Sequence, residues 1–79
     1  MEKASIQPKL KTFAVDVRER SSGMAGDLIY DLSRDRTLRD FGSLPEFRSY
    51  LRSRGACEEA VKAAPAVWRR FERWSGRQV

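Results

Sequence analysis

Apolar positions recur at helical spacing along most of this chain, in stretches divided by short polar breaks. From Lys9, the residues Leu10, Phe13, Ala14 and Val17 fall at i, i+3, i+4 and i+7, which predicts a helix with one apolar face. Phe13, Val15 and Val17 also alternate, as a short strand would. Helix is preferred, because Val15 is the only apolar residue that the helical face leaves out. Ser21-Ser22-Gly23 breaks the pattern. Met24, Ala25, Leu28, Ile29 and Leu32 then share the face of a second helix, with Ser22 as its expected N-cap and Asp27 near its positive end. Asp35 to Gly42 reads as a connector pinned to the core by Leu38 and Phe41.

The third helix carries the clearest start signal. Ser43-Leu44-Pro45-Glu46 fits a capping box: Ser43 caps, Pro45 stands in the first turn where an N–H is not needed, and Glu46 reaches back. Leu44, Phe47, Tyr50 and Leu51 form its apolar side, and Gly55 supplies a left-handed stop. Beyond it, Ala60, Val61, Ala64, Val67, Trp68, Phe71 and Trp74 recur at helical spacing. Pro65 removes one backbone donor and crowds the preceding turn. Two helices, over about residues 57–63 and 65–74, are therefore expected, with Ser75-Gly76 ending the structure. The domain division is a frayed segment 1–8, one helical domain 9–75 and a free tail 76–79.

Charge changes this picture in one region. Arg48 to Val79 hold eight Lys/Arg against three acids, whereas Met1 to Phe47 balance eight against eight, so the net +5 belongs to the second half. Such a surplus in one structural unit suggests a surface aimed at an anion. The chain has no histidine, which removes the usual general base and the usual zinc ligand. Gly23-Met24-Ala25-Gly26 lacks the ending of a phosphate loop. No enzyme, cofactor or metal is expected. The N-terminus has no signal-peptide core, no apolar run approaches the ~20 residues of a membrane span, and Cys57 stands alone. These features predict a cytoplasmic protein with no membrane partner.

The block Ser49-Tyr50-Leu51-Arg52-Ser53-Arg54-Gly55-Ala56-Cys57-Glu58-Glu59-Ala60-Val61, with Asp27-Leu28 and Asp35 before it and Trp68-Arg69-Arg70-Phe71 after it, resembles the YozE SAM-like family of small bacterial proteins. The similarity runs from about Phe13 to Trp74. It implies an all-α bundle of four to five short helices, similar to sterile-alpha-motif domains. No catalytic residues travel with it. Pro65 and Phe71 depart from the family pattern, and the basic C-terminal surface is this chain's own.

At 100° per residue, Arg69, Arg70, Arg73 and Arg77 cover an arc of ~100° opposite Ala64, Val67 and Phe71. Guanidinium forks grip phosphate bidentately. Arg48, Arg52, Arg54 and Lys62 extend the candidate anion surface if the helices lie side by side. The bland alternative is a solvated helix face. Phe71 and Trp74 fall on the apolar face and read as core, while Trp68 at its edge is the candidate exposed ring for stacking bases. Cys57 reads as a small buried residue. Asp27, Asp31, Asp35 and Asp40 lie among Arg34, Arg36 and Arg39, where local ion pairs explain them better than a metal does. Two functions stay open: a nucleic-acid-binding module using the basic helix, or a protein-interaction module, self-association included, without nucleic acid.

Overall fold

A computed structural model describes residues 8–77. α1 spans Lys9–Val17, a 3-10 turn covers Arg18–Arg20, and α2, α3 and α4 span Gly23–Arg34, Leu44–Ser53 and Glu58–Arg77. The described residues are all-α, with no strand, so the alternation at Phe13–Val17 yields to the helical face. Leu10, Phe13, Ala14 and Val17 are all buried, while Val15 is 42% exposed. Residues 1–7 of the expected frayed segment and the last two residues of the tail lie outside the described residues, while Pro8 is ordered as the N-cap of α1.

α1 begins at Pro8 without a local side-chain cap. Its first amides are met from across the fold: the Lys9 and Leu10 N–H groups donate to the Asp40 carboxylate at 3.2 and 3.0 Å. That carboxylate also complements the positive end of the helix dipole. The connector carrying Asp40 is pinned by buried Leu38 and by Phe41, whose ring lies 5.1 Å from Tyr50 and 5.7 Å from Phe47.

α3 starts as its sequence predicts, with one shift. The Glu46 N–H donates to Ser43 Oγ at 3.4 Å, but the Glu46 side chain accepts from Gly42 rather than from Ser43. At its end the Ala56 N–H reaches the Leu51 carbonyl at 3.0 Å and Gly55 takes φ +76°, the left-handed stop. Ser22 precedes α2 but makes no side-chain cap bond, and Met24 is 55% exposed instead of joining the core.

α4 departs most from expectation. It runs unbroken through Pro65 and on through Ser75-Gly76 to Arg77, where two shorter helices and a free tail were expected. Packing explains the continuity. Ala63 and Ala64 before the proline, and Val67 and Trp68 after it, are all buried on one side. Burial of both flanks holds the turns in line against the loss of one hydrogen bond. At ~1.5 Å per residue the helix is about 30 Å long, and it packs against α1, α2 and α3. Phe47 of α3 stacks on Trp68 at 5.6 Å, and Phe13 of α1 meets Phe71 and Trp74 edge-on at 5.6 and 5.7 Å. α1, α2 and α3 thus cover one side of α4 and leave its remaining face outward. Among the described residues, no helix is long and apolar enough to cross a membrane.

Candidate nucleic-acid interface

Helix spacing sets Lys62, Arg69 and Arg73 close to one line along the outer face of α4, and all three are exposed. From Lys62 to Arg73 the helix rises ~16 Å. None of the three forms an ion pair with a described carboxylate; the described pairs are Arg20–Asp16 and Arg54–Asp35. Arg77 is the last residue of the helix.

Arg52 joins this face from α3. It lines a cleft of about 380 Å³ with Ala56, Glu58, Val61 and Lys62. Phe47 meets Trp68 and Arg52 lies beside Val61 and Lys62, so α3 runs antiparallel to α4. Half-buried Arg48, one turn before Arg52, then lies on the same side of α3, toward the Trp68 end. Two rows of cations result, Arg48 and Arg52 on α3 and Lys62, Arg69 and Arg73 on α4. Glu58 stands in the Arg52–Lys62 cleft and exposed Glu72 flanks Arg73, so the rows are dominated by positive charge without being exclusively basic.

Arg70 turns toward α1. Its guanidinium donates to Ser21 Oγ at 3.0 Å, and Ser21 Oγ donates to the Val17 carbonyl at 2.8 Å. Arg20, Arg70 and Arg73 meet around a cleft of about 160 Å³ walled by Phe13, Val17 and Trp74. Arg20 was not expected here: it belongs to the charge-balanced half of the sequence, and only the fold of the 3-10 turn brings it beside α4.

Two expected site residues have other positions. Trp68 is only 8% exposed and stacks on Phe47, so it presents no open ring to a base. Arg54 is committed to Asp35, with its guanidinium 3.6 Å from the carboxylate, donating to Thr37 Oγ1 at 2.7 Å and lying over the Tyr50 ring at 5.8 Å. It is the cation of a clasp that fastens the connector to α3. Asp35 accepts from the Thr37 amide and hydroxyl, both at 2.8 Å, and from the Tyr50 hydroxyl. Burial pushes the Asp35 carboxyl up, but bonds from Tyr50 and Thr37 and the charge of Arg54 outweigh it and hold the group below the ordinary carboxylate range. Burial and the bond to Asp35 push the Tyr50 hydroxyl above its ordinary value.

Cys57 is exposed, not buried. Its carbonyl accepts the Val61 amide in the first turn of α4, and its side chain looks onto the α2 groove. No three Asp, Glu or Cys side chains among the described residues gather as metal ligands. Neither a protein-family model, nor a curated protein, nor a solved structure matches this chain.

Proposed function

We propose that this chain is a small non-enzymatic binding module, a SAM-like bundle of the bacterial kind its sequence resembles, that docks on nucleic acid through α4. One observation carries the reading: Lys62, Arg69 and Arg73 stand exposed along one outward helix face, with no described carboxylate paired to them. Arg48 and Arg52 add a second row. Contacts of this kind address phosphates rather than base edges, so binding depends on salt and little on sequence. About five phosphate contacts give a slope of about −4.5 for log K against log salt on duplex DNA. Fluorescence anisotropy with a labelled duplex across salt tests this. Arg69→Ala with Arg73→Ala flattens the slope by about two. Absence of binding by the wild-type chain at low salt removes the reading.

A second surface favours protein interaction. Exposed Met24 lies beside Leu28, Cys57 and Ala60 in a groove rimmed by Asp27, Asp31 and Glu59. This acidic groove complements the basic face of another copy, and such a heterologous contact builds open chains. Light scattering at low salt distinguishes the readings. Mass that grows with concentration and reverts on Asp31→Arg supports self-association, whereas a strict monomer opposes it.

A further inference from the structure

The cleft between α1 and the last turns of α4 gathers three guanidinium groups, those of Arg20, Arg70 and Arg73. Two of its three guanidinium groups are held before any ligand arrives. Ser21 fixes Arg70 at 3.0 Å, and Asp16 holds Arg20 through its carbonyl at 3.3 Å and its carboxylate at 3.7 Å. The Asp16 carboxylate is itself engaged, accepting from Trp74 Nε1 at 2.8 Å. Arg73, the third, is exposed and pairs with no described carboxylate. Three guanidinium groups and no carboxylate line the cleft, beside the apolar wall of Phe13, Val17 and Trp74, with Asp16 bound to Arg20 and Glu72 next to Arg73 outside that lining.

We infer that this cleft binds a phosphate monoester, with Arg70 and Arg73 gripping the phosphate oxygens and Arg20 supplying the third positive group. A monoester carries up to two negative charges at neutral pH and draws more strongly on three guanidinium groups than a backbone diester, which carries one. Preset guanidinium groups lower the ordering cost of binding. The inference rests on the reading of the basic face as an anion surface, and it adds a preference that face alone lacks: for a terminal phosphate over an internal one. Such a group reaches the cleft from a 5′-phosphorylated strand end or from a free mononucleotide.

The Trp74 indole N–H reports on the site, and a Trp68→Phe variant identifies its NMR signal. Inorganic phosphate and thymidine 5′-monophosphate are titrated against chloride at matched ionic strength. In parallel, single-stranded oligonucleotides of one sequence, with a 5′-phosphate or a 5′-hydroxyl, are compared by anisotropy. Expected are a saturable Trp74 shift with both small anions and about tenfold tighter binding of the 5′-phosphorylated strand, the scale of one charge-assisted contact. Arg73→Gln and Arg70→Gln erase the preference, whereas Arg69→Gln weakens binding of both strands alike and keeps their ratio; Arg73 is exposed, so its variant keeps the fold. A Trp74 shift without strand preference assigns the site to free monoesters. Equal salt-dependent binding of both strands with no Trp74 shift overturns the inference and leaves the basic face standing. A Trp74 shift with no binding of either strand keeps the cleft and removes the nucleic-acid reading.

Discussion

Alanine at position 26 sets helix propensity against packing. Gly26 is a buried residue of α2, and in an open helix alanine is favoured over glycine by about 1 kcal/mol. A β-carbon there falls 2.7 Å from the backbone carbon of Ser21 and 2.9 Å from its oxygen. Neither atom can rotate away, so α2 or the turn before it has to move. Overpacking of this kind costs about 1–3 kcal/mol. Ser21 also donates to Val17 and accepts from Arg70, so displacing it loosens bonds of about 1 kcal/mol each. Gly26→Ala is therefore expected to destabilise by about 1–3 kcal/mol net. Gly76, also helical, has nothing within 4 Å of its added β-carbon, so Gly76→Ala gains up to about 1 kcal/mol. Urea unfolding followed by circular dichroism measures both, with a constant m-value as the check on two-state behaviour. A fall in Tm of about 4–8 °C per kcal/mol accompanies the first change. A Gly26→Ala protein as stable as wild type refutes the close approach of α2 to Ser21.

Asp40→Ala removes the remote cap of α1 and costs about 1 kcal/mol in urea unfolding, with Asp40→Asn milder; equal stability of all three disproves the cap. The lowered Asp35 carboxyl contributes stability that is fully present above its unfolded value near ~3.9 and is lost as pH falls through the lower folded value. Asp35→Asn is expected to flatten this acid limb in pH-dependent unfolding, and an unchanged limb contradicts the clasp. The raised Tyr50 hydroxyl acts at the other extreme, stabilising below about pH 10 and losing effect as pH rises through its folded value. Trp68→Ala costs about 3–5 kcal/mol as a core truncation, whereas Trp68→Phe keeps nucleic-acid affinity; a loss of affinity without loss of stability identifies a stacking ring after all.

Local signals in the sequence carried well. The Ser43 cap, the Gly55 stop and the apolar face of α1 each depend on a few neighbouring residues, and each forms. Features set by distant partners were not legible. The cap of α1 comes from Asp40 in the α2–α3 connector, with no spacing rule to announce it. Pro65 argues for a break by its own chemistry, yet burial on both sides of it comes from α2 and α3. The site divides the same way. The arc of Arg69, Arg70 and Arg73 follows from helical periodicity, but the pairing of Arg54 with Asp35 depends on how the connector packs. Trp68 lies at the edge of the apolar arc, and only the position of Phe47 turns that edge into core. The Arg20–Arg70–Arg73 cleft has no sequence signature, because it joins a turn and a helix far apart in the chain.

The location of the bound polyanion is the most direct test of the basic face. Side-chain NMR of labelled arginine and lysine, with a short duplex added at low salt, reads which cations it touches. The expected result is a shift at Lys62, Arg69 and Arg73 with Arg54 unmoved, each shift fading as salt is raised. Shifts centred on Arg54, or none at any cation of α4, contradict an α4-borne nucleic-acid surface.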